Sequence, residues 1–177
     1  NFIVYAKKIM FKFFRHLKYR RMIRKNSSLI LKELANIVSS TIDHLEKDGR
    51  IKTPLHKEVL KFESTALIFW LFRESKIFPE PLHKLILDEI HNQYYARLKK
   101  HGYNRDAVQA VCDDFNLRYK TYDKCTDNAD NFVAVGTHFA RSVSERTKKD
   151  FEEIEIMIPV ELIKLTITKF KEFREMM

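Results

Sequence analysis

Glycine and proline are scarce in this chain: three and four residues among 177. Sandwiches and barrels turn often and rely on these residues to do so, which argues against an all-β fold. The shortage also excludes phosphate-cradling loops. Neither G-x-G-x-x-G nor G-x-x-x-x-G-K-[ST] can be assembled from Gly49, Gly102 and Gly136. Cysteine is scarcer still. Cys112 and Cys125 form no C-x-x-C pair and no zinc-ligand series. The plain reading is two reduced thiols in a reducing compartment, the cytoplasm. Long apolar runs are missing too. The longest, Ala66–Phe72, has seven residues, against the roughly 20 that span a bilayer.

Acid is missing from one place only. Residues 1–32 hold ten basic side chains and no Asp or Glu, whereas 33–177 hold 23 basic and 24 acidic ones. The formal charge of +9 therefore belongs to the first fifth of the chain, and the body is nearly neutral.

What is present is helical. The chain is 45% hydrophobic and 32% charged, a globular composition in a length that suits one domain with its own core. Apolar residues recur every three or four positions, which predicts an all-α, single-domain bundle of six or seven helices over 1–177. In the first helix Phe2, Ile3, Ala6, Ile9, Met10, Phe13, Phe14 and Leu17 share one face, with lysines and arginines opposite. The pattern fails where Arg20, Arg21 and Arg24 enter the stripe, so the reading ends this helix between residues 19 and 24. Residues 1–25 then form a basic, semi-independent amphipathic element. Asn26, Ser27 and Ser28 are taken as caps for a second helix that buries Leu31, Leu34, Ile37, Val38, Ile42 and Leu45 and stops at Asp48-Gly49.

Thr53-Pro54 opens a third helix, about 54–73, apolar on nearly every side over Ala66–Phe72 and so expected at the centre. Pro79 and Pro81 precede a fourth helix that ends at Gly102, and Asn104 caps a fifth. A sixth begins near Phe132, where Gly136 and Ala140 allow close approach of a neighbour. Ile154, Ile156 and Ile158 read as helix or an irregular link before a last helix from about Pro159 to Arg174.

Two groups of residues invite a function. The first is Lys7, Lys8, Lys12, Arg15, Lys18, Arg20, Arg21, Arg24 and Lys25. A helix with Phe, Ile and Met on one side and cations on the other suits an anionic membrane surface or a protein partner. The chain begins with Asn, and polybasic stretches are common just cytoplasmic of a membrane helix, so a span upstream is a further arrangement of the same kind. An ordinary bundle helix with a solvated basic face is the plain alternative. Nucleic acid is the weaker reading. Readers of single strands interleave aromatics with exposed cations, and here only Tyr5, Phe11 and Tyr19 leave the apolar side.

The second group is a candidate pocket of Glu63, Asp88 and His91. Asp88 and His91 are one turn apart on the fourth helix, and Glu63 sits among Val59, Phe62, Ala66, Leu67 and Trp70. This points to an acid–base or metal-binding bundle, but di-iron bundles need Glu-x-x-His twice and the chain has only Asp88-x-x-His91. Tyr94, Tyr95, Tyr119 and Tyr122 lie where they line a groove between the fourth and fifth helices or fill it as core. His56 and His138 read as structural or solvated, and Cys112 as an inert buried thiol. No motif implies a cofactor, and Ser142 and Ser144 sit in no nucleophile elbow. The expectation is a binding or interaction module, cytoplasmic or membrane-associated, rather than an enzyme.

Overall fold

A computed structural model describes the backbone of residues 2–126, 132–148 and 153–175 and the side chains of 18–126, 133–148, 157–172 and 175. All regular structure within these residues is helical. The elements are α1 (Phe2–Lys47), α2 (Pro54–Ser75), α3 (Leu82–Lys100), α4 (Arg105–Thr126), α5 (Phe132–Thr147) and α6 (Glu153–Glu175).

The two helices expected before residue 48 are one. α1 runs unbroken for 46 residues. No glycine or proline precedes Gly49, so nothing in this stretch forces a break. The side chains expected to cap a second helix bind α3 instead. Ser27 is fully buried, and its hydroxyl donates to the carbonyl of Ile86 at 3.3 Å. The Ser28 hydroxyl donates to Oε1 of Gln93 at 2.8 Å, and Nε2 of Gln93 donates to the carbonyl of Arg24 at 3.2 Å. The predicted apolar face of residues 31–45 is buried throughout.

The other boundaries follow local chemistry. Oγ1 of Thr53 accepts from the amide of His56 at 3.1 Å, with Pro54 at the first helical position. Oδ1 of Asn104 accepts from the amide of Ala107 at 2.8 Å to start α4. Gly49 and Gly102 end α1 and α3 at φ of 70° and 91°, a left-handed backbone that glycine adopts without a Cβ penalty. α6 starts before the expected proline. Pro159 lies in its second turn, buried, and forgoes a single ladder hydrogen bond. Ile154 and Ile156 therefore belong to a helix.

α2 is the centre. It packs against each of the other five helices, and every residue from Ala66 to Phe72 is buried. A helix apolar all round has no face to offer water, so neighbours must enclose it. α1 covers α2, α3 and α6, while α5 sits between α4 and α6 on the far side of α2. Gly136 and Ala140 are both buried on α5, beside Val135, Phe139 and Val143. α1 and α4 are not neighbours among the described residues; they stand apart across α2.

Candidate functional site

Lys18, Arg20, Arg21, Arg24 and Lys25 are all exposed. Among the described residues none of them is in an ion pair. Glu33, the first acidic residue of the chain, comes two turns later. Residues 18–22 are exposed at five successive positions. At 100° per residue these point in every direction around the axis, so no side of this turn is buried; Tyr19 and Met22 are 38% and 40% exposed. Burial begins at Ile23 and continues with Ser27, Ile30 and Leu31. Arg20 and Arg24 follow Phe13 and Leu17 by two turns, and so lie in line with the apolar stripe of the first residues. Both are exposed, so that stripe is not continued as a buried face at these two positions. Lys7, Lys8, Lys12 and Arg15 are on α1, but their side chains lie outside the described residues.

Glu63 is wholly buried, and its partners are arginines rather than Asp88 or His91. Nε of Arg118 donates to Oε2 at 2.8 Å and Nη2 to Oε1 at 2.9 Å, a two-pronged pair reaching from α4 to α2. Nε of Arg146 lies 3.3 Å from Oε1, bringing in α5. The same Arg146 pairs with Asp114 at 2.8 Å and lays its guanidinium 4.8 Å over the ring of Phe62. Both carboxylate oxygens are thus occupied by guanidinium groups. Glu63 ties three helices together through Arg118 and Arg146 rather than pairing with Asp88 or His91.

His91 has a separate environment. Its Nε2 lies 2.7 Å from the hydroxyl of Tyr119, Phe69 meets its ring edge-on at 5.3 Å, and Tyr95 stacks at 6.0 Å. Burial pushes its pKa below the usual imidazole value, against the attraction of Asp88 and a hydrogen bond that the ring donates to the backbone carbonyl of Leu87. Asp88 itself is exposed. Among the described residues no three His, Cys, Asp or Glu side chains are placed to hold a metal ion.

The tyrosines fill the space between α3 and α4. Tyr94 stacks on Phe115 at 5.6 Å, and Tyr95 and Tyr119 lie 6.4 and 6.3 Å from the same ring. Tyr122 is elsewhere, 5.4 Å from Trp70. Burial raises the pKa of all four phenols, to about 12 for Tyr94. Cys112 and Cys125 are free thiols, each partly exposed.

Three polar residues escaped the sequence reading. Asp123 accepts from Nε1 of Trp70 at 2.8 Å and pairs with Arg73, whose guanidinium lies 5.1 Å from the Tyr119 ring centre. Arg118 and Arg146 join Glu63. A signal existed for Arg118, which precedes the buried Tyr119 at the edge of the inward face, but its partner lies 55 positions away and no local pattern names it.

No protein-family model matches the chain, and neither a curated protein nor a solved structure is detectably similar to it. Among the described residues no helix is long and apolar enough to cross a membrane.

Proposed function

We propose that the chain is a binding module that attaches to an anionic membrane surface through the N-terminal part of α1. One observation carries this reading: over residues 18–22 no side of the helix is buried, within a segment that has ten cations and no acid. A bundle helix with a merely solvated basic face is expected to bury its other face, and no position from 18 to 22 is buried. The arm's sequence is amphipathic, with Phe, Ile, Met and Leu opposite Lys and Arg, the pattern that lies in a lipid headgroup layer. Bulk charge attracts any polyanion. The apolar stripe is what favours lipid over nucleic acid, where cations alone suffice.

Sedimentation with phosphatidylcholine vesicles, with and without phosphatidylserine, at low and high salt tests the proposal. The protein is expected to sediment with the anionic vesicles at low salt and to be released by high salt. The combined variant Lys18→Glu, Arg21→Glu, Lys25→Glu removes three cations, each worth about 1 kcal/mol near such a surface. Its affinity should fall by roughly a hundredfold or more. Duplex or single-stranded nucleic acid retained under conditions where the vesicles are not would overturn the membrane reading in favour of a nucleic-acid one.

A further inference from the structure

A cavity of about 510 Å³ opens between α1, α2 and α3 and the start of α4. It follows from the topology: α1 and α4 flank α2 without meeting, and α3 closes one end with its last turns. Leu34 and Val38 form one wall, Val111 the other, and Phe62 and Phe69 the floor. Phe62 and Val111 are only partly buried although they pack on the core, so apolar surface faces open space. Water fills such a cleft poorly, because the lining offers it few partners.

The rim has a sign. Lys61 and Arg97 stand around it with one acid, Glu58. Glu58 is held by Lys61 at 3.1 Å. Arg97 has no ion-pair partner among the described residues. Tyr94, in the wall, keeps its proton because burial raises its pKa to about 12, and it adds a neutral phenol beside the cations.

We propose that this cavity binds a single-chain amphiphile with a carboxylate head, its alkyl chain between Val38 and Val111 and its carboxylate on Arg97. The volume lies in the range of small-molecule sites, roughly 300–1,000 Å³. An apolar interior with the guanidinium of Arg97 at its lip complements an alkyl chain that ends in an anion. A guanidinium is matched to carboxylate by its paired donors. The site uses none of the basic residues of the arm, so it stands or falls apart from the membrane reading.

Calorimetric titration of the full chain with laurate, kept below its micelle concentration, tests it, with dodecanol and acetate as controls. Laurate should bind once per protein, dodecanol more weakly and acetate not at all. Arg97→Ala should lower laurate affinity by about tenfold or more and leave dodecanol unchanged, as expected for a charged hydrogen bond. Ala35→Trp, at an exposed position on the mouth, should block both ligands with the melting curve preserved. Lys18→Glu, Arg21→Glu, Lys25→Glu should bind laurate as before. Failure of the unaltered protein to bind laurate, or loss of laurate in that triple variant with retention in Arg97→Ala, overturns the proposal.

Discussion

A buried carboxylate is tolerable only where its charge is met, and Glu63 meets two guanidinium groups at 0% exposure. Removing one member leaves the others uncompensated. Glu63→Gln is expected to cost about 3–5 kcal/mol of stability in urea unfolding. Adding Arg118→Met should recover part of that loss, since the leftover charge goes with it. His91 gives a second prediction at this scale. Its folded pKa is depressed, so below the unfolded value of about 6.5 the unfolded chain takes up a proton that the folded one refuses. Stability from this residue is present above that pH and declines as pH falls below it. Urea midpoints of the parent and of His91→Gln, measured from pH about 7 down to about 5, should converge as the parent loses this contribution. Parallel curves would remove His91 as their source. The sequence named both residues as noteworthy and misjudged their company. Glu63 and His91 each find partners on α4, in Arg118 and Tyr119, which no helical spacing within α2 or α3 can reveal.

At the level of elements, most of the architecture was legible. Caps at Thr53 and Asn104, stops at Gly49 and Gly102 and the apolar sweep of Ala66–Phe72 are local signals, and each does in the structure what its chemistry suggests. The continuity of α1 was not legible. Asn26, Ser27 and Ser28 are good caps in isolation, but Ser27 and Ser28 reach Ile86 and Gln93, about sixty positions on. Pro159 misled in the same way: inside a helix it gives up a ladder hydrogen bond and crowds the carbonyl four residues back, and burial of Ile158 and Leu162 beside it offsets that cost. Two substitutions probe this level. Ser27→Pro should break α1 at its contact with α3 and cost about 3 kcal/mol or more, with a loss of helical signal, whereas Ser27→Ala should cost about 1 kcal/mol. Phe72→Ala opens a void near the C-terminal end of α2, where the fully buried Phe72 packs on Phe78, His83 and Phe170. It should destabilise by about 3–5 kcal/mol in the same unfolding assay.

The whole molecule is a compact bundle with a rod set into it. At 1.5 Å per residue the 46 residues of α1 extend about 69 Å, whereas a compact chain of this size has a radius of gyration of about 16 Å. X-ray scattering should therefore give a radius of gyration above that value and a distance distribution with a long tail. A symmetric distribution would mean that the arm folds back. Hydrogen exchange should divide the same helix. Amides near residues 18–22 should exchange quickly because that turn has no buried side chain, and those near Leu34 and Ile42 slowly. Because the rod has no glycine, proline or hinge, its two halves cannot swivel independently. Whatever grips the first half sets the compass bearing of the second, and the mouth between Ala35 and Arg97 then faces one fixed direction relative to the gripping surface. Gly-Gly inserted after Lys25 would cut that mechanical link while leaving both ends chemically unchanged.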